Sequence, residues 1–123
     1  MSMNLEQITF APATRADIAA FYGPDFQWTF RAFAARLGDE TLGVGGIYYE
    51  GPHIIAFSSF KPEMDNYPVA KVRGIKKIMS IIGDREVYAI ASEQYPGSQQ
   101  LLERLGFEHI GGRLFKWQQQ HHT

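Results

Sequence analysis

The stretch HIIAFSSFKPEMDNYPVAKVRGIKKIMSIIGDREVYAI, residues 53–90, decides the fold. It opens with an apolar run that carries small polar residues near its end, which predicts a strand over His53–Phe60. From Val69 onward, apolar residues recur at three- and four-residue spacing, which predicts an amphipathic helix that ends at Gly83. The apolar run within Arg85–Ser92 predicts a second strand. A strand, a helix and a strand in this order require two parallel strands joined by a right-handed crossover.

The residues before this stretch predict three strands and a short helix. The strands are predicted over Ile8–Ala11, Phe30–Leu37 and Thr41–Tyr49. The alanines of the second strand also permit a helix, and the glycines of the third weaken a strand unless its backbone approaches another element closely. Thr14, followed three residues later by Asp17, resembles a capping box and predicts a helix that Gly23 ends.

The residues after this stretch predict one more helix and one more strand. Pro96 stands near the start of the helix, leucines share one of its faces, and Gly106 ends it. Glu108–Trp117 predicts a single last strand, and residues 118–123 predict a flexible polar tail. Within the opening stretch, the prolines of Lys61–Pro68 predict an irregular loop.

The predicted order is therefore β-α-β-β-β-α-β-α-β, an α/β (α+β) fold. It indicates a mixed, mostly antiparallel sheet with helices on both faces. In such sheets ligands collect at the C-terminal ends of the parallel pair. We expect a single domain over residues 1–123, because 100–150 residues is the commonest size of one domain.

Composition excludes several classes of function. The net charge is −1, with 12 Lys and Arg against 13 Asp and Glu, so we expect no nucleic-acid partner. No apolar run approaches the roughly 20 residues of a membrane helix, and no leader is evident, so we expect no membrane partner and a cytoplasmic location. Cysteine is absent, which excludes a cysteine nucleophile. His121 and His122 lack a third ligand, so we expect no metal.

Two local patterns accompany this order of elements. Ser98–Glu108 reads SQQLLERLGFE, an amphipathic helix that ends in Leu-Gly-Phe before a strand. Lys71–Lys76 reads KVRGIK and follows a strand and a loop. Over roughly Ile8 to Trp117 the chain thus resembles the GNAT family of N-acetyltransferases, whose pyrophosphate loop reads Gln or Arg, two variable residues, Gly, one variable residue, and Gly or Ala. The glycine-rich hairpin and the ending Arg113–Trp117 are more similar to the reduced acetyltransferase-like proteins of tailed phages.

The resemblance implies acetyl-CoA as the cofactor. An irregularity in the strand His53–Phe60 would free backbone N–H groups toward the acyl and pantetheine parts, and the residues implied are Phe57, Ser58, Ser59 and Phe60. The pyrophosphate would bind at the start of the helix that opens near Lys71, where N–H groups and the helix dipole favour anions. The residues implied there are Lys71, Val72, Arg73, Gly74, Ile75 and Lys76. The alternative for the cations of this segment is a solvated polar face of the helix.

Acyl transfer from a thioester to an amine requires a base for the amine and an acid for the leaving thiolate. The candidate bases are His53, at the start of its strand, and Glu63 or Asp65, just past the end of it, acting directly or through water. Leu102 stands where the GNAT family commonly carries the tyrosine that protonates the thiolate. Tyr95 lies near enough to be the candidate replacement, and the alternative for Tyr95 is a purely structural role. Lys76 replaces the second small residue of the phosphate loop. Both departures favour a reduced member of the family.

Two classes of function therefore remain open. The first is an acetyl-CoA-dependent N-acetyltransferase that acts on a small-molecule amine or a protein amine. The second is a catalytically reduced protein of the same fold, such as a phage virion or accessory protein that acts by binding or assembly. A CoA-binding sensor without turnover is a third possibility. The acceptor would lie along Phe26–Trp28 and the hairpin tyrosines 48 and 49, aromatic residues that also fit a contact with a second copy of the chain.

Overall fold

The computed structural model describes residues 7–91 and 97–117. They form one seven-stranded sheet in the order β1-β2-β3-β4-β5-β7-β6. The strands are β1 (Ile8–Pro12), β2 (Thr29–Leu37), β3 (Glu40–Glu50), β4 (His53–Phe60), β5 (Val87–Ile90), β6 (Glu108–Gly111) and β7 (Leu114–Trp117). The α-helices are α1 (Arg15–Tyr22), α2 (Pro68–Ile82) and α3 (Ser98–Leu105). Strands β4 and β5 are parallel and all other neighbours are antiparallel, so the predicted mixed sheet is confirmed.

Helices cover both faces of the sheet, as the order of elements predicted. Successive residues of a strand point to opposite faces. Val44 of β3 packs in a buried cluster with Ile18 of α1, whereas the neighbouring Gly45 lies against Ile78 of α2. Leu102 of α3 packs on the cluster that contains the end of α2, so α2 and α3 share a face. The helix between β4 and β5 and the helix between β5 and β6 therefore lie on the same side of the sheet.

The glycines of β3 lie where other groups approach the strand closely. A Cβ atom at Gly43 would lie 2.4 Å from the ring of Phe60, and one at Gly45 would lie 2.5 Å from Ile78. At position 46 it would meet the backbone of β2. The close approach that the sequence required of a glycine-rich strand is thus confirmed. The missing side chains let α2 and the neighbouring strands pack tightly on β3.

Three local predictions need correction. The segment 61–68 is not wholly irregular, because Pro62–Asn66 forms a 3-10 helix. Pro68 is the first residue of α2 instead of the end of a loop, since proline lacks only an N–H that the first helical turn leaves unpaired. The last strand is two strands, β6 and β7, which turn at Gly112 with a φ of +54°. The sheet consequently has one strand more than the sequence predicted.

The start of α1 is held by a predicted capping box that the structure extends into a larger polar cluster. Thr14 and Asp17 exchange hydrogen bonds through their side chains and backbone N–H groups. The buried carboxylate of Asp17 also accepts from Thr41 of β3 at 2.8 Å and pairs with Arg36 of β2. One carboxylate therefore ties α1 to two strands.

Candidate functional site

The two parallel strands separate at their C-terminal ends. β4 and β5 pair only at Ile55 with Tyr88 and at Ala56 with Ala89. β4 continues for four more residues, to Phe60, and there it pairs with β3 alone. The sheet thus has a gap at the end of the parallel pair, the position at which open sheets bind ligands.

Backbone N–H groups of β4 point into this gap. The Lys61 N–H donates to the Leu42 carbonyl at 2.8 Å, which places the odd-numbered residues of this segment in hydrogen-bonded pairs with β3. The N–H groups of Ser58 and Phe60 therefore point to the opposite edge, where β5 no longer pairs. The irregularity that the resemblance implied for this strand is absent, because the register of β4 on β3 is unbroken from His53 to Phe60. The separation of β4 from β5 exposes the groups instead.

Beside the gap lies a cleft of about 100 Å³ between α2, α3 and the sheet. We call it the α2–α3 cleft. Its helical walls are aliphatic and include Ile75, Met79, Ile82, Leu101, Leu102 and Leu105. Phe57 and Ser58 of β4 and Ser98 of α3 also line it. Among the described residues that line this cleft, serine supplies the only polar side chains, and none is titratable.

The N-terminus of α2 lies one turn before the predicted phosphate loop. The Lys71 N–H already donates to the Tyr67 carbonyl at 3.0 Å, so it makes the first intrahelical hydrogen bond. Helical geometry leaves the N–H groups of Val69 and Ala70 without an intrahelical acceptor. The expected start near Lys71 is thus displaced by three residues, because the helix begins at Pro68.

The structure separates the residues of the predicted phosphate loop. Lys71 pairs with Asp65 at 2.6 Å, and Arg73 and Lys76 are exposed. Gly74 is buried against the sheet, where a Cβ atom would lie 3.3 Å from the ring of Phe10. Of the six residues, Ile75 lines the α2–α3 cleft. A bulky residue at Gly74 would therefore disrupt packing on β1 whether or not an anion binds nearby.

The candidate bases lie apart from the cleft. His53 stands at the opposite end of β4 from the gap, five residues before Ser58, which is about 16 Å at the usual rise of a strand. Its ring packs edge-on against Tyr88, with 5.7 Å between ring centroids. Glu63 is exposed in the 3-10 helix that precedes α2. Tyr95 lies outside the described residues.

An aromatic cluster that sequence reasoning only partly anticipated covers the α1 side of β4. The hydroxyl groups of Tyr22 and Ser59 are 2.5 Å apart, and the Tyr22 ring packs edge-on against Phe57, with 5.6 Å between centroids. Burial raises the pKa of the Tyr22 phenol. Phe26 and Trp28, expected to face the acceptor, belong to the same cluster, with 5.1 Å between their ring centroids. The cluster could have been inferred from aromatic residues that recur on one face of the predicted strands.

Tyr49 lies on the other face of the sheet, away from this cluster, and its hydroxyl accepts from Arg85 at 3.2 Å. Over residues 7–91 and 97–117, no group of three or more acidic or histidine side chains is placed to hold a metal ion. No helix within the same ranges is long and apolar enough to cross a membrane.

Neither a family model nor a curated protein matches the sequence.

Proposed function

We propose that the protein binds a CoA thioester along β4 and transfers its acetyl group to an amine. The observation that carries the proposal is the separation of β4 from β5 beside the α2–α3 cleft, with the N–H groups of Ser58 and Phe60 facing the gap. One parallel pair in a mixed, mostly antiparallel sheet is also what the resemblance to the GNAT family leads us to expect. On this proposal the chain is a GNAT-like acyltransferase.

The chemistry requires few groups, and the chain supplies several of them. The free N–H groups of β4 donate to the pantetheine arm and to the thioester carbonyl, whose oxygen gains negative charge when an amine attacks the carbonyl carbon. The C–N bond forms, the C–S bond breaks, and the proton that the attacking nitrogen loses passes through water to the CoA thiolate that leaves. The N–H groups of Val69 and Ala70, at the positive end of the α2 dipole, attract the pyrophosphate. The exposed Arg73 adds positive charge on the same helix.

A second candidate function is binding without turnover. It is favoured by the absence of titratable side chains among the described residues that line the cleft, and by Leu102 in the place of a proton donor. A protein of this kind would bind the thioester as a sensor, or would act by assembly as a reduced phage virion or accessory protein. The amine acceptor of the first function and the partner of the second are both proposals for experiment.

Thermal unfolding with acetyl-CoA tests both cofactor-dependent functions. A ligand at 100 times its dissociation constant stabilises the native state by about 2.7 kcal/mol. For a chain of this size that corresponds to a rise in Tm of about 11 °C. The absence of a Tm shift with millimolar acetyl-CoA would contradict both the acetyltransferase and the sensor. A role in assembly would then remain. If the shift appears, release of free thiol in the presence of amines distinguishes an enzyme from a sensor.

Two variants at one residue test the proposed role of the β4 backbone. Ser58→Pro removes an N–H that points away from β3, so no ladder hydrogen bond of β3 and β4 is lost. Ser58→Ala, the matched control, keeps the N–H and removes only the hydroxyl. We expect Ser58→Pro to lose most of the shift with acetyl-CoA and Ser58→Ala to keep it. Equal shifts for the two variants would show that this amide does not contact the ligand.

A further inference from the structure

The α2–α3 cleft has an inner and an outer part that differ in polarity. Ile82, Ala89 and Phe107 line it and are 0%, 4% and 5% exposed, so they mark its inner end. Ser58 is exposed and Leu101 is 37% exposed, so they mark its mouth. The N–H groups that face the gap belong to β4, on the side of the mouth at Ser58. Polar partners are thus available at the mouth, and the inner end is apolar.

From this gradient we infer that the inner part of the cleft binds a short aliphatic chain of about four to six carbons. An amide group of a pantetheine arm would lose its hydrogen bonds to water there without replacing them, which is costly. An alkyl chain loses none. The chemical identity of this aliphatic chain rests on the proposed function: it is the acyl group of a CoA thioester. The favoured substrates are therefore butanoyl to hexanoyl thioesters over the acetyl thioester.

The volume of the cleft supports this length. An apolar cavity of about 150 Å³ lined by leucine, isoleucine and phenylalanine stays dry and binds benzene, a molecule of six carbons. The α2–α3 cleft has a similar lining and about 100 Å³, and it is open at its mouth. In proportion, about four carbons fill this volume, and the open mouth leaves room for one or two more. Leu102 contributes to this fit, because a tyrosine in its place would bring a hydroxyl group into the aliphatic wall.

The test is a chain-length series measured by calorimetry. The probes are acyl-CoA thioesters and the matching S-acyl pantetheines, which lack the nucleotide, with acyl chains of two to ten carbons. Each methylene that enters an apolar site should tighten binding about fourfold. We expect this gain in both series from acetyl to about butanoyl or hexanoyl, followed by a plateau or a loss for longer chains.

Two variants test whether the α2–α3 cleft sets the preferred length of the acyl chain. Leu102→Ala enlarges the cleft and should move the optimum to longer chains. Ile75→Phe narrows it and should move the optimum toward acetyl. The matched control is Ile110→Phe, on β6, because Ile110 is 49% exposed and does not line the cleft. An unchanged optimum in a folded Ile75→Phe protein would overturn the assignment, even if Leu102→Ala fails to fold.

The two probe series also separate this inference from the proposed function. Binding of acyl-CoA without any dependence on chain length would leave the CoA proposal standing and refute the aliphatic site. A chain-length optimum that is the same for both series, with no gain from the nucleotide, would support the aliphatic site and contradict CoA as the cofactor. Absence of binding in both series would refute both.

Discussion

Replacement of Asp17 by alanine should lower the free energy of unfolding more than the loss of any exposed ion pair does. The Asp17 carboxylate is buried and accepts from the Thr14 N–H at 2.8 Å and from Thr41 at 2.8 Å, in addition to its pairing with Arg36. The substitution removes the N3 half of the capping box, in which the Asp17 carboxylate accepts from the Thr14 N–H, and a hydrogen bond of this kind contributes about 1 kcal/mol. It also leaves the half-buried Thr41 hydroxyl and Arg36 guanidinium without this acceptor, at a cost of about 1–3 kcal/mol.

The expected total is a loss of about 3 kcal/mol in the free energy of unfolding, at the lower end of the range for a broken buried ion pair, because Arg36 keeps 27% of its side chain exposed to water. For a chain of this size, about 3 kcal/mol corresponds to a fall in Tm of about 12 °C. The matched control is Glu40→Ala. It breaks the ion pair of Glu40 with Lys61, whose side chains are 55% and 41% exposed, and should cost under about 0.5 kcal/mol.

Urea unfolding of the two variants and the wild type measures these losses. The dependence of the free energy of unfolding on pH, measured in acid, provides a second readout. Burial by itself raises the pKa of the Asp17 carboxyl, but hydrogen bonds from Thr14, Thr41 and Arg36 outweigh it, so the folded-state pKa lies below the ordinary value of 3.8. A lowered pKa contributes stability that is complete above the unfolded pKa and is lost as the pH falls through the folded pKa.

The difference in stability between wild type and Asp17→Ala should therefore be constant above about pH 5 and shrink below it. The reasoning would be refuted by a loss for Asp17→Ala no larger than that for Glu40→Ala. A difference that persists unchanged into strong acid would contradict the role of the ionised carboxylate.

Three further predictions concern close packing and the Tyr22 phenol. Gly45→Ala should cost about 1–3 kcal/mol through its contact with Ile78, and Ile78→Ala in the same chain should remove that penalty, as a double-mutant cycle by urea unfolding will show. Gly106→Ala should lower Tm, because the φ of +101° disfavours a side chain and a Cβ atom would lie 2.8 Å from the ring of Trp117; an unchanged Tm would contradict this packing. Burial raises the pKa of the Tyr22 phenol, so the stability that the neutral phenol contributes is lost as the pH rises above about 10. Tyr22→Phe should remove one phenol from the ultraviolet titration above that pH.

Much of the secondary structure could be predicted because it depends on neighbours in sequence. Gly23, Gly83 and Gly106 end helices with positive φ, as their positions after amphipathic runs indicated. The choice of strand over helix for Phe30–Leu37 is confirmed, since β2 pairs with β1 on one side and with β3 on the other. The helix-permitting alanines there are explained by burial, with Ala34 exposed by 0% and Ala35 by 3%.

The site was less predictable, because its parts come from distant segments. The sequence indicated that a ligand would bind at the end of the parallel pair, and the gap beyond Ala56 lies there. The pattern KVRGIK suggested a phosphate loop, but only packing shows that Gly74 faces Phe10 and that α2 begins at Pro68. The hydrogen bond of Tyr22 with Ser59 joins residues 37 apart, which no local pattern signals.

The sequence by itself determined the order of strands and α-helices from β1 to α3, the alternation that gives the sheet two buried faces, and the glycines that end the helices, because these follow from local periodicity and backbone preference. Only the tertiary structure decided that Glu108–Trp117 folds back as two strands, because β7 inserts between β5 and β6 and Gly112 can adopt the turn that this requires. Only the tertiary structure formed the α2–α3 cleft, whose walls are brought together by long-range packing of segments from Ala56 to Phe107.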